Sequence, residues 1–189
     1  FMLGLFDDPY AYCDKEREQK NIMTNDIKLA SLEVAKRSFV LLKNEKNILP
    51  LKKDYKKIAI IGPLANNSVD PIGGWGGLGD SADVTTVLEG FKNYVDKKTQ
   101  ILYSEGCKID DPSTKGFKDA VNIAKKSDVI ILCVGESRDM SGEACSRSTL
   151  DLPGVQEDLA KELLKTGKPI IVVLMNGRPM SINWLNDNA

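Results

Sequence analysis

Residues 1–24 show no clear hydrophobic period, and Asp7-Asp8-Pro9 reads as a turn. From Asn25 the pattern becomes helical. In NDIKLASLEVAKRSFVLLKNE, the residues Ile27, Ala30, Leu32, Val34, Ala35, Phe39, Leu41 and Leu42 form a broad apolar face. The spacing predicts a helix over 25–45, with Asn25 or Asp26 as its cap. NEKNILPLKKDYKK, with Pro50 and several lysines, reads as a connecting loop. The pattern then changes to short apolar runs rich in β-branched residues: KIAIIG at 57–62, QILYSEG at 100–106, DVIILCVGE at 128–136 and KPIIVVLMNG at 168–177. These predict strands, the clearest of them buried on both faces. Between them, 85–95, 114–127 and 154–167 carry helical spacing, the last with Pro153 near its start and Gly167 as its C-cap.

The order is helix, then β-α-β-α-β-α-β. Apolar strands joined by helical crossovers imply an α/β fold, a three-layer α/β/α sandwich with a mostly parallel sheet. A linker and a helix precede it. Ligands of such sheets meet the loops at the carboxyl ends of the strands. The loop after the first strand, GPLANNSVDPIGGWGGLGD, and the one after the third, GESRDMSGEACSRSTLDLPG, are too long to be mere connectors.

Composition narrows the chemistry. The 189 residues carry 26 Lys plus Arg against 27 Asp plus Glu, a formal net charge of −1, so no basic surplus calls for nucleic acid or an anionic membrane. No apolar run approaches the roughly 18 residues of a membrane helix. Histidine is absent, which excludes Ser-His-Asp and Cys-His catalysis and histidine metal sites within these residues. Acid–base work falls to Asp, Glu, Lys, Tyr or Cys. Cys13, Cys107, Cys133 and Cys145 show no CxxC spacing, and Cys133 within an apolar strand reads as a buried thiol. The first residue is not Met, no signal-peptide pattern is visible, and the sequence reads as cut at both ends.

The first long loop contains Gly74-Trp75-Gly76-Gly77-Leu78-Gly79, a match to GxGxxG. A dinucleotide site needs that motif directly between a strand and a helix, and here the strand ends about a dozen residues too early. A nucleotide-binding α/β domain therefore stays an alternative with weak support. Trp75 is either a packed anchor for a glycine loop or a stacking platform for a sugar ring. In the third loop, Glu136, Asp139, Glu143 and Asp151 alternate with Arg138 and Arg147. Glu136 and Asp151 read as ion-paired or turn-forming acids on a solvated loop. Glu143 differs, because the small residues of Ser141-Gly142-Glu143-Ala144 let a carboxyl reach into a neighbouring cleft, as a general acid must.

The segments LGLFDDPY, SFVLLKNEKNILPL, IAIIGPLAN, GGWGG, IILCVGES, SGEACSRSTLDLPG and KPIIVVLMNGRP, in that order, resemble glycoside hydrolase family 3, in particular bacterial β-glucosidases of the periplasmic type. The resemblance implies that residues 1–24 are the exit from an N-terminal TIM-like barrel. It implies that 25–189 are the second, α/β sandwich domain, lacking its final elements. It assigns the acid/base role to Glu143, with the nucleophile on the barrel. Trp75, Arg147 and Asp139 are the expected substrate-binding residues, the last two by steering the acid-bearing loop. A β-glucoside or oligosaccharide is the expected substrate. No cofactor or metal is implied, a homodimer is a possible assembly, and a bacterial periplasmic or secreted location follows from the nearest resemblance. A non-catalytic carbohydrate-binding or docking domain is the other alternative. The resemblance also implies that these residues alone are inactive.

Overall fold

The computed structural model describes residues 1–52 and 54–189; Lys53, in the predicted connecting loop, lies outside the described residues. Two compact units divide the chain, Phe1–Asn44 and Glu45–Ala189.

The first unit holds two helices, α1 (Lys15–Asn21) and α2 (Asn25–Ser38). The sequence pattern missed α1 because KEREQKN has no apolar face. A cap starts it instead: the Asp14 carboxylate accepts the backbone N–H groups of Glu16 and Arg17, each at 3.0 Å. In α2 the cap is Thr24, one residue earlier than expected, its hydroxyl accepting from Ile27 N–H at 3.4 Å. The helix stops at Ser38 rather than continuing to Glu45. The Ser38 hydroxyl donates to Ala35 O at 2.9 Å, and Phe39 leaves the helical region at φ −68°, ψ 133°. Phe39, Leu41 and Leu42 were read into the helical face, but the run Phe39-Val40-Leu41-Leu42 is apolar at every position and does not continue the helical period.

The second unit is a parallel sheet with helices on both faces. Its strands are β1 (Lys57–Ile61), β2 (Gln100–Ser104), β3 (Val129–Gly135) and β4 (Ile170–Met175), in the order β2-β1-β3-β4. All three pairings are parallel, with Ile60 opposite Ile131 and Cys133 opposite Val173. The helices are α3 (Val87–Tyr94), α4 (Phe117–Lys125), α5 (Gln156–Leu164) and α6 (Asn183–Asn188). The short α6 had no counterpart in the sequence reading. Gly167 lies two residues beyond the actual cap of α5, Lys165, and takes φ 69°.

The side-chain alternation of a strand splits the core into two layers. Ala59, Ile61, Ile130, Leu132 and Val134 face α4, α5 and α6 through Ala120, Ala124, Leu159, Leu163 and Leu185. Ile58, Ile60, Val129, Ile131 and Cys133 face the other way, against Leu88 of α3. Every residue of β3 is buried, which is why its sequence is an unbroken apolar run.

Strand order places the functional edge. The chain leaves β1 toward β2 on one side, then crosses back to β3 and on to β4. The connections after β1 and β3 thus run in opposite directions, and adjacent strands with that property open a crevice at their carboxyl ends. The two long loops lead out of these two strands. Both begin on glycines: a Cβ at Gly62 would lie 2.0 Å from Cys133 O, and one at Gly135 would lie 1.7 Å from Met175 O. Each glycine lets its loop pass over the end of the neighbouring strand.

Candidate functional site

Three loops converge at this edge. The glycine loop is tied to the acidic loop through Asp70, which opens a 3-10 turn (Asp70–Ile72). Its Oδ1 accepts Arg138 N–H at 2.8 Å, and its Oδ2 accepts the Asn67 side-chain amide at 2.5 Å. The loop after β4 joins them, since Ser141 Oγ donates to Gly177 O at 3.1 Å. A Cβ at Gly177 would fall 2.5 Å from Ser141 Cβ and Oγ, so any larger residue there would push the Ser141 side chain away.

Trp75 and the Glu143 turn meet within this arrangement. A Cβ on Gly142 would stand 3.7 Å from Trp75 Nε1, so the indole edge runs beside the residue preceding Glu143. Trp75 is 77% exposed. It is not packed down as an anchor. The GxGxxG segment is likewise no phosphate loop, because β1 ends at Ile61 and α3 begins only at Val87. Glu143 projects from a tight turn closed by Cys145 N–H on Gly142 O at 3.3 Å, with Ala144 at φ 58°. It is exposed, and among the described residues no hydrogen bond or ion pair engages its carboxylate.

The remaining acids behave differently. Asp139 is exposed, its carboxylate 3.6 Å from Arg138 Nε. Asp151 is exposed and bridges to Ser181 through the backbone. Glu136 departs from the solvated acid read in the sequence, because its side chain is only 1% exposed. It is ion-paired with Arg147 Nη1 at 2.8 Å and Arg178 Nε at 3.3 Å, and it accepts Gly177 N–H at 3.3 Å. Arg147 spends its other amino group on Asp151 O at 3.0 Å. Sequence reasoning missed Asp70, Arg178 and Gln156, whose side-chain amide bonds the backbone of Gly135 at the end of β3. The NGRP segment holding Arg178 carried part of the resemblance, but nothing in its spacing indicated an ion pair.

The model of the glycosyl hydrolase family 3 C-terminal domain matches residues 39–189. The chain belongs to glycosyl hydrolase family 3. A β-xylosidase of Formosa agariphila is 40% identical over all of this chain, and a periplasmic β-glucosidase of Salmonella typhimurium is 38% identical over 95% of it. The chain spans 26% of each of these relatives. The crystal structure of a β-glucosidase from Listeria innocua in complex with isofagomine superposes with a TM-score of 0.88 at 32% identity, covering 99% of this chain and 25% of that one. Within family 3, then, the sandwich and its loop edge are a recurrent domain of glucosidases and xylosidases.

Proposed function

We propose that the chain is the second domain of a retaining β-glucosidase, and that Glu143 is its acid/base. The observation that carries this reading is the pairing at the switch point: an unengaged carboxylate on a constrained turn, beside an exposed indole. In the first step Glu143 donates its proton to the glycosidic oxygen as that C–O bond breaks and a nucleophilic carboxylate bonds to the anomeric carbon. In the second, Glu143 takes a proton from water as the water displaces that carboxylate. Such a mechanism places the two carboxyl groups about 5–5.5 Å apart. The nucleophile belongs to an N-terminal barrel outside these residues, in keeping with a chain that spans about a quarter of its relatives. The residues 1–189 alone therefore hydrolyse no aryl β-glucoside.

Trp75 stacks on the aglycone side. Asp139, exposed on the same loop, and Arg147 act on substrate binding by steering the acid-bearing loop. Both glucosidases and xylosidases occur among the relatives, and terminal β-D-glucosyl residues are our choice on the likeness to the periplasmic and Listeria innocua enzymes. A bacterial periplasm is the matching location. The test is Glu143→Ala in the full-length enzyme, assayed on aryl β-glucosides of differing leaving-group acidity. Loss should be concentrated on poor leaving groups, by about 10²-fold or more. Equal loss on good and poor leaving groups removes the acid role.

A further inference from the structure

We propose that Glu136 is a positioning residue for Glu143, acting through two arginines that clamp the acid-bearing loop on both sides. This rests on the acid/base reading of Glu143 given above. Glu136 follows β3 directly, and its N–H donates to Met175 O at 2.9 Å, so its backbone belongs to the sheet edge. Its carboxylate is the common partner of two cations that come from different segments. Arg147, four residues after Glu143, reaches Glu136 with one amino group and Asp151 O with the other. Arg178, from the loop after β4, lies with Nε 3.3 Å from the same carboxylate oxygen, and its Nη2 donates to Met140 O.

Met140 and Asp151 lie on opposite sides of the Glu143 turn. One buried carboxylate therefore fixes the two shoulders of that turn while touching none of its tip. The Arg147 and Arg178 side chains are 16% and 20% exposed, so the network is shielded from the screening that weakens surface pairs. Arg178 Nε is buried without a hydrogen bond, its charge answered by proximity to Glu136 rather than by an aligned donor–acceptor pair. That makes Arg178 dependent on the negative charge of Glu136, and a neutral isostere at 136 would release it. Displacement of a reacting group by an ångström is enough to cost a large rate factor.

The experiment uses the full-length enzyme and compares Glu136→Gln with Glu143→Ala on aryl β-glucosides with good and poor leaving groups. Glu136→Gln is expected to lower kcat for the poor leaving group about tenfold more than for the good one, with KM changed far less. This is a weaker copy of the Glu143→Ala pattern that a general loss of folded protein cannot produce. If Glu143→Ala is selective and Glu136→Gln lowers both substrates alike, or neither, the positioning role is overturned. If Glu143→Ala itself lacks selectivity, the acid/base reading fails and the positioning role falls with it. Should Glu136→Gln not fold, the charge-preserving Arg147→Lys and Arg178→Lys carry the comparison. Each keeps the cation but loses the forked reach to its carbonyl, and each should show the same selective loss. Uniform loss in both overturns the proposal.

Discussion

The side-chain amide of Gln156 pairs with the backbone of Gly135 in both directions: Oε1 accepts Gly135 N–H at 2.9 Å, and Nε2 donates to Gly135 O at 2.8 Å. A side chain from the first turn of α5 thus completes the hydrogen bonding at the end of β3, one residue before Glu136. Nε2 also donates to Ile109 O at 2.9 Å, which ties in the loop after β2.

Removing this amide strands two buried backbone groups. Gln156→Leu keeps the volume but leaves Gly135 N–H and O unpaired, at about 1–3 kcal/mol each. The expected loss is about 3 kcal/mol, read as a lower urea midpoint with an unchanged denaturant slope. A midpoint like that of the unsubstituted protein would show that water replaces the amide.

Gly135→Ala should be at least as damaging. The position takes φ 149°, and an added Cβ would meet Met175 O at 1.7 Å. A positive φ costs about 1–2 kcal/mol and overpacking about 1–3 kcal/mol, so a loss of about 2–5 kcal/mol is expected. Thermal melting measures it directly, and a shift of less than a degree contradicts the close crossing of strand ends.

The two buried thiols set an alkaline limit. Burial pushes Cys133 from 9.0 up to about 12. Burial, then the carboxylates of Glu105 and Asp111, do the same to Cys107. Between pH 9 and 12 the unfolded chain releases these protons while the native one keeps them. Stability from these groups is therefore complete below pH 9 and lost as pH rises toward 12. Cys133→Ala should flatten the fall of the unfolding midpoint across that window. At pH 8, Ellman's reagent should modify neither Cys107 nor Cys133 in the native protein.

Asp70 holds the two site loops together, so Asp70→Ala should free the glycine loop from Arg138 N–H and remove that loop's internal bond to Asn67. Because Trp75 rides on that loop, the full-length enzyme should show KM raised several-fold. On the stacking role proposed above, Trp75→Ala should give a rise of similar size, since aromatic stacking is worth about 0.5–1.5 kcal/mol. If the double variant multiplies the two effects fully, Asp70 acts by some route other than Trp75.

The four strands and the helices between them were legible because burial on both sheet faces leaves long β-branched runs that no other element explains. Glu143 and Trp75 were candidates from their loops alone, but their roles came from the resemblance, since one Glu and one Trp in long loops carry no periodic signal. Gln156 was hidden for the opposite reason. It sits where an amphipathic helix is allowed a polar residue, and its burial is decided by the end of a strand 21 positions away. Glu136 was read as a surface acid because its second cation, Arg178, lies beyond another helix and strand. Local pattern sees neighbours in sequence, and these pairings are made by topology.

Ala144 has a consequence for engineering. At φ 58° it holds a left-handed conformation at a cost of about 1–2 kcal/mol, immediately after Glu143. Glycine there would remove the penalty while allowing the turn many other shapes. The same change would make the folded domain easier to form and the carboxylate harder to aim. On the acid/base role proposed for Glu143, a screen that selects for heat resistance alone would favour that substitution at the expense of activity.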